Sequence, residues 1–77
     1  MSPKNIDSKT FINALMKDGF EFVRQSGSHK IYRKDNKYIS VPYHHKGHTI
    51  PDGTLSSLIR SAGWIDDDLV RLKIKRK

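Results

Sequence analysis

Apolar and polar positions along the chain change their period twice, and each change marks a change of element. Between residues 7 and 18, Phe11, Ile12, Leu15 and Met16 recur at helical spacing, which predicts an amphipathic helix with those side chains on its buried face. Asp7 stands where its carboxylate can accept an orphan N–H of the first turn, Ile6 and Phe11 have the spacing of a hydrophobic staple, and Gly19 ends the helix. From Phe20 the period becomes two. Phe20 and Phe22 are expected on one side of a short strand and Glu21 and Val23 on the other, until Ser26 and Gly27 break it. A second strand is predicted over Ser28 to Arg33, a polar turn over Lys34 to Lys37, and a third strand over Tyr38 to Val41 that Pro42 ends. Connections this short join only antiparallel neighbours. Tyr43 to Ile50 reads as a basic, His-rich loop. Helical spacing then returns at Leu55, Leu58, Ile59 and Ala62, with Asp52 or Thr54 able to cap the start and Gly63 closing the end. Trp64 and Ile65 are expected to pin the exit of this helix onto the core. Asp66, Asp67 and Asp68 suit the first turn of a short last helix, where negative charge is favoured; the competing reading, a carboxylate metal site, requires three consecutive side chains that a helix points apart.

The predicted fold class is α+β, an α-β-β-β-α order with a three-stranded antiparallel sheet and the helices packed on one face. Double-stranded-RNA-binding domains share this order. Residues 1–77 are read as one domain, near the lower size limit for a core that holds a fold alone. The absence of Cys excludes a disulfide framework and a thiolate zinc site. No apolar run approaches the ~20 residues of a membrane span, and the first residues lack the pattern of a signal peptide, so the expected location is the cytoplasm.

Charge sharpens this picture. Fifteen Lys and Arg against eight Asp and Glu give a formal charge of +7, a field that attracts polyanions. Residues 24–48 hold six of the basic residues, all four His and a single acid, Asp35, so the middle of the chain is expected to face the polyanion. The Lys73 to Lys77 cluster is a second, looser basic segment.

At the centre of the basic region lies Gly27, Ser28, His29, flanked by Arg24, Lys30 and Arg33. Glycine permits a positive φ or a close approach to a ligand, Ser28 adds a hydroxyl and a backbone N–H, and His29 transfers protons near neutral pH. Cleaving RNA through its own 2′-hydroxyl needs a base, an acid and cationic or N–H groups for the developing phosphorane-like charge. His29 can serve as base or acid. By alternation it also shares a face with Ile31, the setting of a structural histidine. Ser28 has no following Asp placed to orient His29 as in a hydrolase triad. Arg24, Lys30, Arg33, Lys37 and Lys46 are the candidate phosphate contacts, and the backbone of Gly27 and Ser28 a source of N–H donors. Tyr32, Tyr38 and Tyr43 can each stack an unpaired base; Tyr43, in the basic loop, is the better candidate, while Tyr32 and Tyr38 read equally well as half-buried sheet residues. His44, His45 and His48 invite a zinc reading but lack a Cys or nearby acid to complete a tetrahedral set, and neither a metal nor another cofactor is expected.

Together these segments resemble the HicA (YcfA-like) mRNA interferase toxins: Phe20 to Tyr32 with its Gly27, Ser28, His29 centre, then Val41 and Pro42, the His cluster, Gly53, Thr54, Leu55 and the helix end from Ile59 to Gly63. The resemblance implies a double-stranded-RNA-binding-like fold, cleavage of mRNA as the toxin of a type II toxin-antitoxin system, and a HicB-type antitoxin that masks the site. It maps the catalytic histidine onto His29. A further family histidine follows the Val-Pro pair, and here His44 fits by distance from Pro42 while His45 fits by distance to Ile50. Trp64 stands where a smaller aliphatic residue is usual. The alternative function is an RNA-binding module of similar fold that does not cleave.

Overall fold

The structure, a computed structural model, describes residues 6–45 and 47–74. The expected lead-in over residues 1–5, Lys46 and the last three residues of the basic tail lie outside the described residues.

The first helix, α1 (Ser8–Lys17), starts as its sequence dictates: Asp7 is the N-cap and its carboxylate accepts from the Thr10 N–H at 2.7 Å. Phe11, Ile12, Ala14 and Leu15 are buried. Met16 departs from the expected stripe and is 50 % exposed, because it falls one position further round the cylinder than Ile12, past the edge of the covered face. Three strands follow, β1 (Glu21–Ser26), β2 (His29–Lys34) and β3 (Lys37–Pro42), in the order β1-β2-β3 and antiparallel throughout. The second helix, α2 (Asp52–Ala62), buries Leu55, Leu58 and Ala62, half-buries Ile59, and ends at Gly63 with φ +76°, the left-handed cap that glycine adopts without strain. Its start differs from expectation. Pro51 occupies the N-cap position with no side-chain hydrogen bond, so neither Asp52 nor Thr54 caps the helix; proline has already fixed the entry φ and the Leu55 N–H bonds the Pro51 carbonyl. A last helix, α3 (Asp66–Arg71), has the acidic triplet as its first turn, and the Asp68 carboxylate accepts from the Ile65 N–H at 3.0 Å and from Arg71. Asp68 thus serves the helix start.

Residues directly opposite one another in an antiparallel ladder share a face. The register therefore sorts the sheet into rows. Phe22, Tyr32 and Ile39 form one row, and Gln25, Lys30 and Val41 another, on the face where Tyr32, Ile39 and Val41 are buried against the helices. The opposite face carries Glu21, Arg33 and Tyr38, then Arg24, Ile31 and Ser40, then Ser26, His29 and Pro42. One continuous core joins the buried sheet residues to Phe11, Leu15, Leu55, Trp64, Leu69 and Leu72. Both α1 and α2 lie across β3, which leaves β1, among the described residues, as an uncovered edge with all six residues exposed.

That edge corrects the simple alternation expected for the first strand. Phe20 is buried just ahead of β1, but Phe22 is 54 % and Val23 46 % exposed, and the register shifts between Phe22 and Arg24. Val23 is the extra residue of a β-bulge. Phe22 keeps the helix side of the sheet, edge-on to Tyr32 at 5.5 Å between ring centroids, without a helix above it. Of the two residues expected to pin the exit of α2, Trp64 does so and Ile65, 65 % exposed, does not. Trp64 stacks obliquely on Phe11 at 5.3 Å, and its indole N–H donates to Asp18 at 2.9 Å.

Candidate nucleic-acid interface

Gly27 and Ser28 are the two central residues of the hairpin between β1 and β2. Gly27 has φ +58° and Ser28 is not among the positive-φ residues, the pattern of a type II′ turn, whose twist matches that of the strands it joins. The turn delivers His29 as the first residue of β2, exposed on the sheet face away from the helices, opposite Ser26 on one side and Pro42 on the other.

The bulge at Val23 decides which basic residue shares that face. With unbroken alternation Arg24 would join Phe22 on the helix side; the extra residue turns Arg24 outward, opposite Ile31. Arg24 and His29 are then diagonal neighbours, ~7–8 Å apart at the backbone, within reach of a shared phosphate for a side chain as long as arginine. Arg33 lies on the same face four residues further along β2, and both arginines are exposed.

Lys30 and Lys37 are placed differently. Lys30 projects from the opposite face, with its ammonium 4.1 Å above the centre of the Tyr43 ring, a cation–π contact. Tyr43 is half-buried, and its N–H donates to the Ser28 carbonyl at 2.6 Å, which ties the start of the His-rich loop to the hairpin turn. Lys37 sits at the far end of the β2–β3 ladder, where its ammonium donates to the Ala62 carbonyl at 3.2 Å and so caps the C-terminus of α2. The pleat parts Lys30 from His29, and the length of the ladder parts Lys37 from it.

His44, His45 and His48 gather at the same end of the sheet as His29, directly after Pro42. The His44 and His48 rings meet edge to face at 4.7 Å, and the His45 and His48 rings at 5.6 Å, so both sequence candidates for the second histidine contact a third imidazole. Partial burial, then the neighbouring His44 and His45, hold the His48 imidazole below its ordinary pKa. Among the described residues, no group of three or more His, Cys, Asp and Glu is arranged to hold a metal ion. The loop is anchored from an unexpected quarter. Ser8, buried on α1, donates its hydroxyl to the Pro42 carbonyl at 2.5 Å and its N–H to the His48 carbonyl at 2.8 Å, while Asp7 and Thr49 form an isolated bridge. A serine in the first turn of a helix gives no sequence signal of such a contact.

Asp18 accepts from Trp64, from Arg71 at 3.1 Å and pairs with Lys34 at 3.3 Å, near the end of β2 opposite His29. Burial alone would raise its carboxyl pKa, but the three donors together pull it below the ordinary value. Glu21 is the one acid in the rows of the open face, beside Arg33.

A family model, described as the HicA toxin of bacterial toxin-antitoxin systems, matches residues 8–64. No curated protein matches the chain.

Proposed function

Because the chain belongs to the HicA toxin family of bacterial toxin-antitoxin systems, we propose that it is a cytoplasmic endoribonuclease that cleaves mRNA with His29 as a proton-transfer group and without a metal ion. The observation that carries this reading is the pairing of an exposed His29 with Arg24 on one open sheet face, an imidazole beside a cation. In the reaction, the 2′-hydroxyl of a nucleotide loses its proton to a base and its oxygen attacks the adjacent phosphorus. The bond to the 5′ oxygen breaks, and an acid protonates that oxygen as it leaves. His29 takes one of the two proton transfers. The histidine cluster after Pro42 is the nearest source of the other, through His44 or His45. Arg24 and N–H groups of the Gly27–Ser28 turn offset the charge that builds on the non-bridging oxygens, a role worth ~3 kcal/mol of barrier per donor in a dry site.

Membership of the family also gives the chain an antitoxin partner. We take that partner to be of the HicB type and to cover the basic face, with association accelerated by opposite charge and weakened by salt. No described helix is long and apolar enough to cross a membrane.

Incubating the purified chain with a long unstructured RNA, with and without EDTA, tests the reading. Cleavage that persists in chelator is the expected result. Activity abolished by EDTA and restored by Mg²⁺ or Zn²⁺ would overturn the metal-free mechanism, and a lack of cleavage in both conditions would overturn the ribonuclease reading.

A further inference from the structure

Tyr38 is the most exposed of the described Phe, Tyr and Trp residues, 61 % accessible, in a row with Arg33 and Glu21 on the face that carries His29. No contact with another ring, hydrogen bond or ion pair among the described residues occupies it. The other tyrosines are differently employed: Tyr32 is buried in the core, and Tyr43 is half-buried with one ring face taken by Lys30. An exposed tyrosine on an antiparallel sheet is ordinary by strand propensity alone. Its company is not. Arg33, opposite it in the ladder, is a guanidinium with no ion-pair partner among the described residues, and Arg24 and His29 continue the same face toward the hairpin turn.

We infer that Tyr38 and Arg33 form a base-binding subsite for single-stranded RNA, reached across the open sheet face from the scissile phosphate that Arg24 holds beside His29. This inference rests on the ribonuclease reading above. Three observations commit the occupant to a single strand. The face is cationic but for Glu21, so it complements a phosphodiester chain. A planar, exposed ring offers a stacking surface that only an unpaired base can use, since paired bases present their edges. The row of Tyr38 lies four residues from that of His29, ~13 Å along the strands. That is several times the ~3.4 Å step between stacked nucleotides, so the base on Tyr38 is a few nucleotides from the scissile bond and the strand between them crosses Ile31 and Ser40. Glu21, at the β1 edge of the row, disfavours a phosphate there and leaves Arg33 to guide the backbone past Tyr38.

Binding of short oligoribonucleotides in which 2-aminopurine replaces each base in turn tests this, with His29→Ala as the parent protein so that the strand stays intact. The parent should quench 2-aminopurine at one or two adjacent positions. Tyr38→Ala should lose that quench and bind the single strand roughly tenfold or more weakly, the scale of one stacked base, while Tyr38→Phe keeps both. The log affinity–log salt slope should stay unchanged in Tyr38→Ala and fall by about one in Arg33→Ala. Equal binding and quench in Tyr38→Ala would overturn the subsite while leaving the ribonuclease reading intact. So would a preference for duplex RNA that is insensitive to Tyr38, or a loss of binding in Tyr38→Ala matched by a lowered thermal midpoint and shared by Tyr38→Phe. A parent that binds no RNA at all would instead overturn the reading on which the subsite rests.

Discussion

At the residue scale, the pleat separates side chains that adjacency in sequence grouped together. Lys30 follows His29 directly yet sits on the other face over Tyr43, whereas Arg24, five positions away, shares the His29 face because Val23 bulges. Arg24→Ala should therefore slow cleavage by roughly 10²-fold, the usual loss on removing one transition-state donor, while Lys30→Ala changes the rate severalfold at most. Single-turnover rates of the two variants under saturating RNA check this; equal losses, or a larger loss at Lys30, would contradict the face assignment. The composition of the His29 motif was readable from the sequence, including the glycine that a type II′ turn demands. Its company was not, because Val23 is neither glycine nor otherwise marked as a bulge, and a one-residue shift reverses every later side chain of the strand.

At the element scale, each helix and strand foreseen from periodicity is present, and the departures fall where tertiary contacts choose between neighbours. Trp64 and Ile65 are adjacent after the reversal at Gly63, so one turns inward; Trp64 does, bringing a large apolar surface onto Phe11 and an N–H to Asp18. Two contacts between elements carry predictions. Ser8→Ala removes the hydroxyl that α1 donates to Pro42 and should cost ~1–3 kcal/mol, because the buried carbonyl loses a donor. Chemical denaturation measures it, and a change below ~0.5 kcal/mol would contradict a stabilising role for the hydroxyl bond. Asp18 joins the end of α1 to β2, Trp64 and α3, and its folded carboxyl pKa is lowered on balance. The corresponding stability is present above the unfolded value of ~3.9 and is lost as pH falls through the lowered folded value. Asp18→Asn should melt below the unsubstituted protein at pH 7, and the gap should close as pH drops from about 4 to 2. Parallel melting curves across that range would contradict the assigned role.

At the scale of the whole molecule, the stabilising network and the candidate chemistry occupy opposite ends of the sheet. Asp18, Lys34, Trp64 and Arg71 hold one end; the Gly27–Ser28 turn, His29 and the histidine loop form the other. Loss of activity can thus be told from loss of fold. The decisive measurement is His29→Ala, read as cleavage rate, RNA affinity and thermal midpoint on the same preparation. A rate lowered by roughly 10²-fold or more is expected, the usual contribution of a positioned general acid or base. Affinity should hardly change, because the proposed phosphate contacts that set salt-dependent binding are the arginines. Stability should move by no more than about ±0.5 kcal/mol, since His29 is exposed. A near-normal rate in a folded variant, or a lost rate accompanied by a strongly lowered midpoint, would contradict a catalytic His29.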